Sequence, residues 1–198
     1  MSAAKYFLAL AAIFVSTAFA TDNLPRQFAE LLVRGKMSYT LPRGFYDTKV
    51  IANKQMNYEY ALEYPDKNFE LRLAIRPLDE LIKEYKAKLK SKKNSDAAVD
   101  PNTIYEATFQ AIIMNISGGH QSEITTYRKD EVNIEYNADW GATTMVEVGN
   151  EFGPNYKYCI IVALHKDNVA DAYYFFLAGN KDAYTYLMQP AAYCLRFK

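Results

Sequence analysis

His120 and His165 are the only histidines in the 198 residues, and they are the first candidates for chemistry. They stand 45 positions apart. A metal site commonly draws on His or Cys at close spacing, so structural or solvated roles are expected for both. His120 opens the run His120-Gln121-Ser122-Glu123, which places a base, a hydroxyl and a carboxylate side by side. Nucleophilic catalysis needs those groups to converge in space, and adjacency in sequence does not supply that. Asp139 and Glu147 are a carboxylate pair of the type a hydrolase uses, but 23 acidic residues generate many such pairs. Asn133, Asn137 and Asp139 offer oxygens at a spacing foreign to a calcium loop. The chain has no Gly-x-Ser-x-Gly elbow and no Gly-rich phosphate loop, and nothing in it asks for a cofactor or a metal. Asn115-Ile116-Ser117 matches a glycosylation sequon, inside a helical pattern that turns Ile116 inward.

The compartment bears on the two cysteines. Met1 to Ala20 reads as a cleavable signal peptide: Lys5 gives the charge, Tyr6 to Val15 the apolar stretch, and Ala18-Phe19-Ala20 the small-residue site. The apolar stretch is shorter than the roughly 20 residues a membrane-spanning helix needs. Without a cysteine near that site, the expectation is release into a periplasm or outside the cell, as one soluble domain over 21–198. In an oxidising compartment Cys159 and Cys194 invite a disulfide. Both also sit in apolar surroundings that suit buried free thiols.

Losing Lys5 with the leader leaves a net charge near −1, which argues against nucleic acid as the main partner. The largest local charge feature is Lys83, Lys86, Lys90, Lys92 and Lys93 on one predicted helix. It reads as a solvated face, or more sharply as a contact for an anionic membrane surface or an acidic protein. Seventeen tyrosines and the single Trp140 add aromatic residues that pack a ring and still reach water.

These residues need elements to hold them. Phe28, Leu31 and Leu32 predict a helix over 25–35, followed by a strand from Met37 to Leu41. Asn57–Tyr64 and Phe69–Arg76 alternate apolar and polar residues around Pro65-Asp66-Lys67-Asn68, the signature of a hairpin with one buried and one wet face. Helices are predicted from Asp79 to about Lys92 and from Asp100-Pro101 to Gly118-Gly119. Val132, Ile134 and Tyr136 predict a strand. Another is expected over Thr144–Val148, after a turn at Asp139-Trp140-Gly141. Tyr156–His165 and Ala170–Leu177 are apolar on both faces, which suits the middle of a covered sheet. Asp182 starts a last helical segment, interrupted at Pro190 and finishing at Ala191-Ala192-Tyr193-Cys194-Leu195-Arg196-Phe197. The class is α+β, with a central, largely antiparallel sheet flanked by helices.

Pro42-Arg43-Gly44-Phe45 after the opening strand, the hairpin, the helical middle, the Tyr156–Leu177 pair and the closing Cys194-Leu195-Arg196-Phe197 together resemble the PsbP-like family, which shares its fold with the Mog proteins. The resemblance spans about residues 25–197. It implies an exported, non-enzymatic binding or assembly module, with no shared catalytic residues to carry over. The candidate contact residues are Tyr58, Tyr60, Tyr64, Tyr136, Trp140 and Tyr156, for a protein, peptide or glycan partner. A small secreted hydrolase built on His120 and scattered carboxylates is the alternative.

Overall fold

The computed structural model describes residues 24–64, 68–90 and 98–198. The leader, the hairpin residues 65–67 and Lys92 and Lys93 lie outside the described residues. Among the described residues no helix is long and apolar enough to cross a membrane.

The chain runs α1 (Arg26–Arg34), β1 (Met37–Tyr39), β2 (Tyr46–Asp47), β3 (Tyr60–Tyr64), β4 (Phe69–Pro77) and α2 (Asp79–Lys90). A 3-10 turn, Pro101–Thr103, leads into α3 (Tyr105–Ile116), β5 (Thr125–Thr126) and α4 (Lys129–Tyr136). Then follow β6 (Trp140–Glu147), β7 (Tyr158–Lys166), β8 (Ala170–Ala178), α5 (Asp182–Ala192) and β9 (Leu195–Phe197). Seven strands form one sheet in the order β2-β3-β4-β8-β7-β6-β5, and every pairing is antiparallel. The expected α+β class with a largely antiparallel sheet is the one observed. The doubly apolar strands β7 and β8 lie in its interior, as their composition requires.

Period-two alternation sends β8 residues to opposite sides. Tyr174 and Phe176 face a core closed by Phe28 of α1, Val132 and Tyr136 of α4, and Leu187 of α5. Tyr173, Phe175 and Leu177 face a second core closed by Phe109 and Ile113 of α3 and by Phe152. The sheet is therefore covered on both sides. The predicted wet face of the β3–β4 hairpin is a correction: Glu70 and Arg72 are 8% and 2% exposed, because Tyr58 and Phe152 close over them.

Three further expectations are revised. Residues 132–136 are helical. Val132 and Tyr136, four apart, share the buried side of α4, while Ile134 is 75% exposed. Acidic Asp130 and Glu131 favour the first turn through the helix dipole, and Asn137 ends it with φ 52°. Trp140 and Gly141 open β6 instead of forming a turn. A Cβ on Gly141 would sit 2.8 Å from Val132 Cγ2, so only glycine lets α4 approach this closely. Finally, Leu195–Phe197 is a strand, paired with Met37–Tyr39. The opening and closing landmarks of the sequence thus meet in one two-stranded ribbon.

Candidate functional site

Chemistry-bearing side chains gather where the β7–β8 hairpin turns. His165 and Asp171 are direct cross-strand partners, and the His165 ring is only 1% exposed. Nδ1 lies 2.6 Å from Asp171 Oδ1, and Nε2 lies 3.0 Å from Asp167 Oδ1. Carboxylates only accept, so the ring makes both bonds as donor only in its protonated form. Burial pulls the His165 pKa down, but the bonds and charges of Asp171 and Asp167 outweigh it and the net shift is upward. Tyr105 stacks on the ring with centroids 4.1 Å apart, and Trp140 leans on Tyr105 at 4.8 Å. The surrounding turn is tied down on two sides. The Asp167 N–H donates to Asp139 Oδ2 at 2.9 Å, and the Asn168 N–H donates to Asn102 Oδ1 at 2.8 Å.

A second cluster lies inside the sheet's other end. Arg72 Nε donates to Glu70 Oε1 at 2.6 Å, and its Nη1 donates to the Phe152 carbonyl. The guanidinium carbon sits 4.7 Å from the ring centroids of both Tyr58 and Phe152. This is an arginine held between two aromatic faces, with a charged hydrogen bond in the plane. The Tyr58 hydroxyl accepts from the Ile51 N–H at 2.9 Å. Burial, then the Glu70 carboxylate, pushes the Tyr156 phenol up.

The sequence-derived hydrolase groups do not converge. The His120 side chain is exposed. Ser122 Oγ donates to the Met145 carbonyl at 2.8 Å, with Thr144 Oγ1 2.9 Å away, so it fastens residues 122–123 along the edge of β6. Asp139 and Glu147 bracket the eight-residue β6. They lie roughly 25 Å apart along the strand, far beyond the roughly 5–10 Å a carboxylate pair needs. Among the described residues no three His, Cys, Asp or Glu side chains are placed to hold a metal ion.

Cys159 and Cys194 are free and buried. This corrects the disulfide expectation, and the reason is topological. Cys159 faces the core beneath α3, whereas Cys194 faces the core beneath α1, α4 and α5. The segment carrying Cys194 does pack on the central strands, but on the far side of the sheet. Burial pushes both thiols up. The native protein is expected to resist alkylation, and the denatured, unreduced protein to take up label at both positions. Two sites still blocked after denaturation without reductant would contradict the placement.

The six candidate aromatic contacts are split between the faces. Tyr60 and Tyr136 are buried in the first core, with Tyr64 packed at its edge. Tyr58 is buried in the second, with Trp140 and Tyr156 half-buried against it. They form no common surface. Sequence reasoning passed over Asp171 and Glu70, yet both carried a signal. Positions 165 and 171 flank the turn symmetrically, as cross-strand partners do. Positions 70 and 72, two apart on a strand, share a face.

The outer surface of α2 has a different character. Ile82 is its buried residue, while Leu81 and Leu89 are 46% and 49% exposed. Leu81, Glu84, Tyr85 and Lys88 of the helix border, with Val99 and Ile104, a shallow depression of about 190 Å³. Lys83, Lys86, Lys88 and Lys90 are exposed on the same helix.

No protein-family model matches the chain, and no curated protein does. Among solved structures the chain is similar to the solution structure of cyanobacterial PsbP (CyanoP) from Synechocystis sp. PCC 6803, with a TM-score of 0.45 and 11% identity over 83% of this chain and 88% of that one. At this level of similarity nothing about ligand or partner transfers.

Proposed function

We propose that this chain is an exported, non-enzymatic binding or assembly module, built as one domain over 21–198. The observation that supports this best is the state of His165. It is the buried base of the structure, and both its nitrogens already face carboxylates. A general base needs a nitrogen free to take a proton from substrate. Arg72 and Ser122 are likewise committed within the fold. Export rests on the residues of the leader.

The reading is tested by assaying the protein against ester, phosphoester and glycoside substrates. Turnover should stay at the buffer rate for each. Turnover above that rate, abolished in a folded His120→Gln, His165→Gln or Ser122→Ala variant, would replace it with the hydrolase reading.

A further inference from the structure

The two carboxylates that hold the His165 ring are unequally placed. The Asp171 side chain, at 2.6 Å, is 9% exposed, whereas that of Asp167, at 3.0 Å, is 60% exposed. A neutral imidazole carries one N–H. It can go on donating to one carboxylate, and its bare nitrogen then faces the other. Asp171 has no water to turn to, so it keeps its hydrogen bond. The contact that gives way is Nε2 with Asp167, where a lone pair meets a carboxylate free to rotate into solvent.

That contact supports a distant segment. Asp167 opens the turn of the β7–β8 hairpin, and the next residue reaches across. The Asn168 N–H donates to Asn102 Oδ1 at 2.8 Å, and Asn102 Nδ2 donates back to Asn168 Oδ1 at 3.3 Å. Asn102 is the centre of the 3-10 turn Pro101–Thr103, whose Pro101 is buried. Tyr105, the first residue of α3, stacks on the imidazole with the ring planes 22° apart, a contact that is stronger for a cationic ring. The hairpin's other arm is independent of the ring, since the Val169 carbonyl accepts from the Leu78 N–H at 2.9 Å.

The titratable groups facing the ring are Asp171 from β8, Asp167 from the turn and the Tyr105 phenol from α3. Trp140, its partner on β6, carries no charge. The Asp139 carboxylate accepts from the Asp167 N–H. Arg76, opposite Asp171 on β4, is bound to Glu59 at 2.8 Å, and Glu106 beside Tyr105 is exposed. Burial lowers the ring's pKa and the two carboxylates more than restore it, so the neutral form arises on the alkaline side of about 6.5.

We propose that the His165–Asp167 contact is a proton-operated latch, which holds Pro101–Thr103 and the first turn of α3 on the β7–β8 turn while the ring is charged and releases them when it is neutral. The test is NMR of the folded protein at about pH 6 and about pH 9, on either side of the imidazole titration. The nuclear Overhauser contact between the Tyr105 and His165 rings should be present at the lower pH and lost at the higher. The Asn168 amide should lose at least about tenfold of its protection from hydrogen exchange, the scale of one charge-assisted hydrogen bond. The contact between Phe152 and Phe175, with ring centroids 5.4 Å apart, should persist at both. Asp167→Asn should keep the Tyr105–His165 contact throughout, because a carboxamide accepts from the charged ring and donates to the neutral one. The wild-type comparison stands without that variant should it fail to fold. A ring still charged at about pH 9, a Tyr105 contact that survives its neutralisation, loss of the Phe152–Phe175 contact in step, or the same release in Asp167→Asn would overturn the latch.

Discussion

Arg72→Ala is expected to lower unfolding free energy by about 3–5 kcal/mol, the range for removing one partner of a buried ion pair. Three losses coincide. The Glu70 carboxylate, only 10% exposed, loses its counter-charge and hydrogen bond. The Phe152 carbonyl loses a donor. Tyr58 and Phe152 lose the plane that both rings rest on. Domains are stable by about 5–15 kcal/mol, so this one change removes a large share. Arg72→Lys should rescue little, because a compact ammonium neither spans two ring faces nor forms a planar fork. Glu70→Gln/Arg72→Met should recover much of the loss, since the uncompensated charge disappears with the pair. Urea unfolding followed by Trp140 fluorescence reads all three. A loss under about 1 kcal/mol for Arg72→Ala would show that the guanidinium is solvated.

Asp171→Asn should destabilise by about 2 kcal/mol near pH 6, through the loss of a charge-assisted hydrogen bond, and by less at alkaline pH. The folded-state pKa of His165 is raised above the unfolded value of about 6.5. The stabilisation is therefore fully present below about pH 6.5 and is lost as pH rises through the folded-state value. The wild-type protein should lose stability as pH rises through that window, and Asp171→Asn should flatten the decline. The groups facing the ring are Asp171 from β8, Asp167 from the turn and Tyr105 from α3, so the two carboxylates set the direction. Urea midpoints measured from about pH 6 to pH 9 decide it. A wild-type midpoint that climbs across that window would have the wrong sign.

The parts of the fold legible in the sequence were those where one periodicity spoke alone. Phe69–Arg76 alternates cleanly, and Tyr156–Leu177 is apolar throughout around a short polar turn, so β4, β7 and β8 could be placed. Val132, Ile134 and Tyr136 misled because positions i and i+4 share a face in both a strand and a helix. The deciding residues were the acidic first turn and Asn137, which can take positive φ. Glu70 and Arg72 read as solvent-facing because charge usually is, and nothing local announced that Phe152, 80 positions away, would cover them. The cysteines illustrate parity: Cys159 goes to the α3 side with Ile161 and Ala163, and one step of register would have sent it to the other. The site residues inferred from composition fared accordingly. A tyrosine's ring is equally at home in either core, so Tyr58 and Tyr60, two positions apart, part company because Tyr58 lies ahead of β3, which begins at Tyr60, and the strand's alternation does not reach it.

The central claim is that side chains able to do chemistry are spent on holding this fold, and the His165 ring tests it most directly. Nitrogen NMR of the labelled imidazole reports whether each ring nitrogen carries a proton. At about pH 6 both should be protonated, with the proton lost only above about pH 6.5 in the wild type and earlier in Asp171→Asn. A neutral ring at pH 7 with one unprotonated nitrogen, titrating below about 6.5, would describe a poised base and contradict the account.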